Sequence, residues 1–345
     1  MAYGAAVAAR NAAYDHQWLK QARLPARVVS VGNVTVGGAG KTACIELIAK
    51  KLTADGRRVA ILSRGYGGLR RAYWLRVEGG RLCVNGDALA AADGLADEPQ
   101  LLALSVEGTP VVVGADRART GAWAVKQFRP DVLLLDDGFQ HRRLHRDCDV
   151  VLVHARMPLG GWALLPRGPM REPLSALQRA QVVVMTKVDE AWETSAALAE
   201  RLRSFNRHAV LATAVHEPTA VVDTSSGERH EPRRLAGRRV GLLSSIGDPD
   251  GFEATVKRLH ATILWHRAFP DHHRYTQADV AWVLDEANRT RPDVVLTTQK
   301  DHVRLRPWTT DQGPGTVPLW VLGVRMRIVS GEAELDARLA ALHTR

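Results

Sequence analysis

The segment of residues 30–42 constrains the fold of this chain more than any other stretch. It reads Ser-Val-Gly-Asn-Val-Thr-Val-Gly-Gly-Ala-Gly-Lys-Thr, follows a short β-branched run and precedes apolar residues at helical spacing. A strand, a glycine-rich turn and a helix in this order bring backbone N–H groups towards phosphate oxygens. We therefore expect Lys41 to reach the β- and γ-phosphates of a nucleotide and Thr42 to offer its hydroxyl to Mg²⁺.

The turn departs from the usual phosphate-binding pattern at one position. Thr35 stands where glycine is usual, so Gly37 and Gly38 are expected to supply the left-handed backbone conformations. The expected nucleotide-binding residues are Gly37, Gly38, Ala39, Gly40, Lys41 and Thr42. The alternative is a glycine-rich turn that binds no ligand, and the strand–turn–helix context disfavours it.

Length and composition are those of a folded globular protein. The chain has 345 residues, more than one core usually holds, with 46% hydrophobic and 24% charged residues. Its net charge of +10 favours anionic partners such as a nucleotide, nucleic acid, an anionic lipid or a phosphorylated substrate. Three scattered cysteines argue for a reducing compartment and against a disulfide framework or zinc site: Cys44, Cys83 and Cys148.

The apolar runs of the first two hundred residues are continuous and do not alternate with polar residues. They cover 28–31, 59–62, 111–113, 132–135, 150–153 and 182–185. Strands buried on both faces have this composition, so we expect an α/β fold with a mostly parallel sheet flanked by helices. The composition becomes polar over residues 213–239, and we therefore place a domain boundary near residue 215. Further apolar runs predict a smaller α/β domain over 216–345: 240–243, 263–265, 294–297 and 319–322.

No apolar run of the chain reaches the roughly 18–20 residues of a membrane span. The N-terminal segment, residues 1–24, also lacks the charge pattern of a signal peptide. Four large side chains fall on one stripe of a helix: Tyr3, Val7, Tyr14 and Trp18. Aromatic residues with Lys20 and Arg23 nearby suit a helix lying in a membrane interface. A first helix packed on its own domain fits the pattern equally well.

Residues 131–137 contain an apolar run that ends in two aspartates. It places Asp136 and Asp137 at the carboxyl end of a buried strand, where acidic residues of nucleotide-binding proteins hold Mg²⁺ directly or through water. The polar, basic loop 138–143 comes next and is expected beside the γ-phosphate.

Two interpretations are open for Asp97-Glu98-Pro99. Asp97 could cap a helix, with Glu98 at its positive end and Pro99 in its first turn. Alternatively, one carboxylate could be a general base that takes a proton from an acceptor hydroxyl.

Arginines follow several predicted strands: Arg64, Arg117, Arg119, Arg142 and Arg143. Because ligands bind at the carboxyl ends of parallel strands, these side chains suggest a substrate with its own phosphate, although each could equally be a solvated surface residue.

Residues 186–189, Thr-Lys-Val-Asp, are similar to the element that reads the guanine base in GTP-binding proteins. Alternatively, they form a plain strand-to-helix loop. His272 and His273 are neighbours and make a poor metal pair. One of them could orient or assist a carboxylate base, with a buried structural role as the alternative.

The set of motifs resembles the tetraacyldisaccharide 4′-kinase family of lipid A synthesis. They occur in family order over residues 3–306, nearly the whole chain: residues 30–42, Ser-Arg-Gly-Tyr-Gly, Asp-Glu-Pro, Asp-Asp-Gly-Phe-Gln-His-Arg, Leu-Leu-Pro-Arg-Gly-Pro-Met-Arg-Glu-Pro-Leu, Phe-Pro-Asp-His-His and Thr-Thr-Gln-Lys-Asp. The resemblance implies transfer of the ATP γ-phosphoryl to the 4′-hydroxyl of a lipid A disaccharide 1-phosphate, forming lipid IVA. It also implies a peripheral protein at the cytoplasmic face of the inner membrane, docked by residues 1–24, with a kinase domain over 25–215 of the P-loop NTPase type.

The resemblance also implies roles for individual residues. Lys41 and Thr42 would serve phosphate and Mg²⁺, Asp136 and Asp137 the metal, and Asp97 would be the base, assisted by His272. The implied substrate-binding residues are Arg64, Tyr66, Arg117, Arg119, Gln140, Arg171 and Glu172.

The chain departs from the family at three positions. Ala39 and Ala43 replace a usual Thr and Pro, and Gln299 replaces a usual Glu, so no role is assigned to Gln299. A P-loop switch or motor ATPase of the partitioning or metallocentre-insertion type is the main alternative, but it does not explain residues 269–275 or Asp97-Glu98-Pro99. Nucleic-acid binding rests on net charge alone, and we expect none.

Overall fold

The chain forms two compact units. The computed structural model describes residues 2–66, 68, 72–88, 94–156, 162–309 and 317–342. The first unit comprises Met1–His216 and Met326–Arg345, and the second comprises Glu217–Arg325. The division after residue 216 lies next to the expected boundary, but the sequence placed everything beyond it in the second domain. The C-terminal segment returns to the first unit because Leu335 and Leu339 are buried in that unit's core.

The helices and strands of the described residues follow in chain order. They are α1 (Ala2–Asp15), β1 (Arg27–Asn33), α2 (Lys41–Ala54), β2 (Val59–Ser63), β3 (Tyr73–Glu78), β4 (Arg81–Val84), β5 (Asp87–Ala88), α3 (Asp97–Ser105), β6 (Val111–Val113), α4 (Arg117–Phe128), β7 (Val132–Asp136), β8 (Cys148–His154), β9 (Val182–Thr186), α5 (Trp192–Phe205), β10 (Val210–Asp223), β11 (Arg229–His230), β12 (Arg239–Ser244), α6 (Pro249–Arg258), β13 (Thr262–Ala268), α7 (Gln277–Thr290), β14 (Val294–Thr298), α8 (Gln299–Thr309), β15 (Leu319–Ser330) and α9 (Glu332–Ala340). Short 3₁₀ turns occur at Leu174–Arg179, Val188–Glu190 and Pro232–Leu235.

The first unit is built on a mostly parallel sheet in the order β10-β9-β8-β1-β7-β2-β6-β3-β4-β5. The strands from β10 to β6 run parallel, whereas β3, β4 and β5 form an antiparallel edge. All six apolar runs of this region are strands, which confirms the predicted α/β fold.

Both faces of this sheet are buried, as the continuous apolar runs require. Leu134 of β7 packs in one cluster with Ile48 of α2, and its neighbour Leu135 packs in another with Ala124 of α4. Since successive side chains of a strand point to opposite faces, helices must cover both sides. The functional residues are therefore confined to the strand ends and the loops that follow them.

The second unit contains the parallel strands β13-β12-β14-β15, and all four of its predicted strand runs are present. Residues 213–239, whose polar composition placed a domain boundary near residue 215, continue β10 to Asp223 and include β11, which pairs with it antiparallel. This strand mixes polar and apolar residues along its length, so its composition alone does not predict a strand.

The N-terminal helix is shorter than the predicted helix over residues 1–24. It ends at Asp15, and Gln17 has a positive φ of 59°, so the chain turns before Trp18. Trp18 therefore does not share the helical stripe of Tyr3 and Tyr14. Among the described residues, no helix combines the length and apolar character needed to cross a bilayer.

Candidate active site

A loop of residues 34–40, which we call the phosphate loop, joins β1 to α2. Its Gly37 and Gly40 have positive φ of 105° and 83°. Gly38 does not, which corrects the expectation for Gly37 and Gly38: the second left-handed residue is the one that begins the helix. Gly40 is the N-cap of α2 and no side chain caps that helix. The first N–H groups of α2 are thus directed towards whatever lies in front of the phosphate loop.

Neighbouring segments hold the phosphate loop in place. Val36 N donates to Pro169 O at 2.8 Å, and Arg171 N donates to Val34 O at 2.7 Å. From the other side, the buried Thr186 Oγ1 donates to Ala39 O at 3.1 Å. The segment of residues 186–189 therefore contributes to the support of the phosphate loop, in agreement with the reading of it as a strand-to-helix connection.

Asp136 is a buried carboxylate at the end of β7. Its Oδ2 accepts from Ser63 Oγ at 2.8 Å, and its backbone oxygen accepts from Arg117 Nη2 at 2.7 Å. Burial, with the nearby negative charges of Glu98 and Asp137, raises the pKa of Asp136 to about 6. A site that destabilises its own carboxylate in this way would gain from a bound cation.

Asp137 links β7 to the start of α2. Its Oδ1 lies 3.5 Å from Lys41 Nζ, and its Oδ2 accepts from Arg171 Nη1 at 2.7 Å. Burial raises the pKa of Asp137, but the charges of Lys41 and Arg171 outweigh burial and hold that pKa below its usual range. The side chain is therefore an anion beside the phosphate loop.

The side chains around Asp136 fit a magnesium ion. Mg²⁺ prefers carboxylate and hydroxyl oxygens, and Asp136, Asp137 and Thr42 offer these groups. Among the described residues, Asp137 Oδ1 is buried and accepts no hydrogen bond. This oxygen has the Lys41 ammonium 3.5 Å away as an ion-pair partner but accepts no hydrogen bond from the described residues, so it could still coordinate a metal ion.

Asp97 is the first residue of α3, and its predicted capping role is wrong. The N-cap is Ala96, and no side chain caps this helix. The Ala96 N–H donates to Tyr73 Oη at 3.0 Å. Burial, with a further contribution from the Asp97 charge, raises the pKa of Tyr73, so the Asp97 carboxylate acts on a buried phenol. Its other predicted role, that of general base, stays a prediction.

Three of the predicted substrate-binding residues, Arg64, Tyr66 and Arg119, are exposed, with Tyr66 at 72%. Gly67 of the Ser-Arg-Gly-Tyr-Gly motif region lies outside the described residues. Arg117, in contrast, is buried against the backbone of Asp136.

The remaining predicted substrate-binding residues contact protein groups. Glu172 is buried and accepts from Gln140 Nε2 at 3.1 Å, while Arg171 pairs with Asp137. Contact with substrate stays a prediction for all seven residues.

Within the second unit, His272 and His273 have different partners, as expected for a poor metal pair. His272 Nε2 lies 3.5 Å from Lys300 Nζ, whereas His273 Nε2 lies 2.9 Å from Asp279 Oδ2. The His273 ring also stacks on Phe269 with centroids 4.4 Å apart, which gives His273 a structural role.

Gln299 has a clear local role in the second unit. Its Oε1 accepts from Val324 N at 3.1 Å. A glutamate oxygen could accept the same bond, so the departure from the family pattern keeps this contact.

Asn33 and Ser63 were missed by the sequence analysis. Asn33 Oδ1 accepts from Lys41 Nζ at 3.4 Å, and the buried Asn33 Nδ2 donates to no group among the described residues. The available signal was a polar residue ending an apolar strand, which is common and therefore weak. Ser63, at the end of β2, gives an equally weak signal, and its Oγ donates to Asp136 Oδ2.

Comparison with known proteins identifies the family of this chain. The sequence profile of the family described as tetraacyldisaccharide-1-P 4′-kinase matches residues 1–344. Tetraacyldisaccharide 4′-kinase of Anaeromyxobacter dehalogenans (strain 2CP-C) is 44% identical, covering 96% of this chain and 84% of the relative. The protein of that name from Syntrophus aciditrophicus (strain SB) is 39% identical over 94% and 87%.

A solved structure is similar over the same extent. The crystal structure of LpxK from Aquifex aeolicus in complex with ATP superposes with a TM-score of 0.74 and 28% identity, covering 99% of this chain and 96% of that one. A profile match over nearly every residue, together with relatives of this identity, establishes the family. This chain belongs to the tetraacyldisaccharide-1-P 4′-kinase family.

Proposed function

We propose that this chain transfers the γ-phosphoryl group of ATP to the 4′-hydroxyl of a tetraacyldisaccharide 1-phosphate, forming lipid IVA in lipid A synthesis. One observation carries the proposal. Lys41 is the first residue of α2, directly after the phosphate loop, and its Nζ lies 3.5 Å from Asp137 Oδ1. In a chain of this family, such a cluster of cation, anion and helix N-terminus suits a nucleotide triphosphate and its metal.

Charge governs how ATP would be held. The N–H groups of the phosphate loop and of the first turn of α2 would bind the phosphates, with the Lys41 ammonium on the β- and γ-phosphates. Mg²⁺, held by Thr42, Asp136 and Asp137, would neutralise the charge of the phosphates. Ser63 and Asn33 would keep Asp136 and Lys41 in position through the hydrogen bonds already described.

Asp97 is the proposed general base. Its carboxylate would take the proton of the 4′-hydroxyl while that oxygen forms a bond to the γ-phosphorus and the bond to the ADP oxygen breaks. His272 would assist the base. Most of the acceleration would come from positioning and charge neutralisation, as is general for phosphoryl transfer.

The exposed Arg64, Tyr66 and Arg119 are proposed contacts of the acceptor. Guanidinium groups bind phosphate in a planar, two-pronged geometry, so Arg64 and Arg119 suit the 1-phosphate of the disaccharide. The phenol of Tyr66, 72% exposed, offers an apolar ring and a hydroxyl to the sugar.

We further propose that the protein works as a peripheral protein at the cytoplasmic face of the inner membrane. The acceptor carries acyl chains, and the segment after α1 exposes Trp18 at 76% and Leu19 at 43%. The basic residues Lys20 and Arg23 are close to them in sequence. Apolar and basic side chains together favour an anionic lipid surface.

The test is transfer of label from γ-³²P-ATP to a detergent-dispersed acceptor in the presence of Mg²⁺. Label in the lipid is the expected result. Label found only in free phosphate would contradict the kinase and favour the switch or motor ATPase. An acceptor already phosphorylated at its 4′-oxygen is the matched control and should take up no label.

A further inference from the structure

Glu172 is a buried carboxylate outside the phosphate loop, with 1% of its surface exposed. Its Oε2 accepts from Asn11 Nδ2 at 2.8 Å and from Arg179 Nη2 at 3.0 Å, and its Oε1 accepts from Gln140 Nε2 at 3.1 Å. A carboxylate is buried to this degree only when its oxygens are paired. Three donors from separate parts of the chain therefore fix its position.

One side of this cluster leads to the phosphate loop. Gln140 Nε2 also donates to Asn33 O at 3.0 Å, and the Glu172 N–H donates to Val34 O at 3.4 Å. Asn33 is the residue whose side chain accepts from Lys41. The Glu172 carboxylate is thus connected to the end of β1, from which the phosphate loop begins.

The preceding residue extends the connection to the proposed metal ligands. Arg171 donates its N–H to Val34 O and its guanidinium to Asp137. A displacement of residues 171–172 would therefore change both the backbone of the phosphate loop and the charge beside Asp137.

The other side of the cluster leads to α1. Besides the bond from Asn11, Tyr3 Oη donates to Arg171 O at 2.9 Å, and Arg10 Nη2 donates to Gln140 O at 2.6 Å. The buried Arg142 then holds the end of the helix, donating to Asn11 O at 3.0 Å and to Asp15 Oδ1 at 2.6 Å. Side chains along the length of α1 thus contact the segments that support the site.

We propose that Glu172 is a positioning residue through which the seated α1 helix holds the phosphate loop and Arg171 in their working arrangement. Its kinetic consequence rests on the proposed kinase function. The α1 helix then helps to hold the phosphate loop in place, and loss of its contacts lowers kcat. Direct contact of Glu172 with substrate, which the family resemblance implies, is the competing role.

The test compares Asn11→Ala, Glu172→Gln and the double variant. Alanine is the better helix former, so Asn11→Ala removes the bond to Glu172 without weakening α1. We expect each single variant to lower kcat about tenfold, as loss of a hydrogen bond to a charged group does, with KM for both substrates within about threefold. The double variant should be no slower than Glu172→Gln alone, because Asn11 acts through Glu172.

Ala9→Asn is the matched control, since it places an amide at an exposed position of the same helix. A readout independent of lipid transfer is hydrogen exchange of the backbone amides of residues 36–39. These amides should exchange faster in Asn11→Ala than in the parent or in Ala9→Asn.

Several results would overturn the positioning role. They are an unchanged kcat and unchanged exchange in Asn11→Ala, multiplicative losses in the double variant, or a Glu172→Gln variant that raises only the KM of the acceptor. If the parent protein fails to label the lipid, the kinase function fails, while the exchange measurement still decides whether α1 holds the phosphate loop.

Discussion

At the scale of single residues, the site depends on carboxylates with different surroundings. Asp136 is buried beside Glu98, and its pKa rises to about 6, whereas Asp137 lies between Lys41 and Arg171 and stays charged. Asp97 begins the neighbouring helix α3 and is not its cap. The two proposed metal ligands thus differ in their surroundings, and the proposed base lies on a different element, α3.

Replacing Asp97 by Asn should remove the base and keep the shape of the side chain. We expect kcat to fall by about 10²- to 10⁴-fold, the usual contribution of general base catalysis, with ATP binding within about threefold. Steady-state kinetics and binding of a fluorescent ATP analogue measure the two quantities. Glu98→Gln is the matched control and should cost less than Asp97→Asn; equal losses in kcat and ATP affinity for Asp97→Asn would contradict the assignment.

Charged residues next to a recognisable strand or turn, such as Lys41 and Asp136, were predictable from the sequence at this scale. The partners that hold supporting residues in place were not predictable. Asn11 and Glu172 are 161 residues apart in the chain, and no local pattern indicates that they meet. The capping role of Asp97 was wrong because Asp97 is itself the first residue of α3 and Ala96 occupies the N-cap position.

At the scale of elements, α2 has a left-handed glycine near each end, and the surroundings of the two differ. A Cβ at Gly40 would lie 2.6 Å from His216 Nε2, whereas a Cβ at Gly56 would meet nothing within 4 Å. Both have positive φ, of 83° and 76°. The two positions therefore separate backbone strain from crowding.

Gly56→Ala should lower the free energy of unfolding by about 1 kcal/mol through backbone strain alone. Gly40→Ala adds the displacement of the His216 ring, so we expect a loss of about 2–3 kcal/mol together with weaker ATP binding. Urea unfolding and nucleotide titration measure these effects. Equal losses of stability in the two variants, with ATP binding intact in both, would show that the start of α2 tolerates a side chain.

An ion pair joins the start of β7 to the approach of β2. Arg58 donates from its backbone N and its guanidinium to Asp131, and these bonds, against some burial, hold the pKa of Asp131 below its ordinary value of 3.8. Because the folded-state pKa is depressed, this stabilisation is present above about pH 3.8 and is lost as the pH falls through the folded-state pKa.

Asp131→Asn should therefore be less stable than the parent near pH 7, and the difference should shrink as the solution is acidified below about pH 4. Thermal unfolding across this pH range measures the difference. A gap in melting temperature that stays constant down to pH 3 would contradict the role of the charge.

The parallel strands were predictable because strands buried on both faces require continuous apolar runs. The mixed composition of β10 gave no such signal, so no strand was predicted there. Helix α1 ends earlier than its apolar stripe suggested, because Gln17 has a left-handed conformation. A glutamine in the sequence does not predict such a conformation.

At the scale of the whole molecule, the chain leaves the first unit within β10 and returns to it within β15. The boundary near residue 215 was visible as a change of composition. The return was not, because the apolar residues of β15 and α9 are compatible with either core.

The proposed membrane contact predicts an effect that is separate from the chemistry. Trp18→Ala with Leu19→Ser should weaken binding to anionic vesicles about tenfold or more, since each removes exposed apolar surface that would be buried in lipid. Activity on a short-chain, soluble acceptor should stay within about twofold. Vesicle co-sedimentation and kinetics give the two numbers, and unaltered sedimentation would contradict docking through this segment.

The position of the new phosphate tests the proposed function most directly. Two-dimensional ¹H–³¹P NMR of the lipid product, made from ATP and a tetraacyldisaccharide 1-phosphate, reports which sugar carbon carries it. A new phosphorus coupled to the proton at the 4′-carbon is the predicted result. A phosphate at another hydroxyl, or a disaccharide that keeps only its 1-phosphate while ATP is hydrolysed, would contradict it.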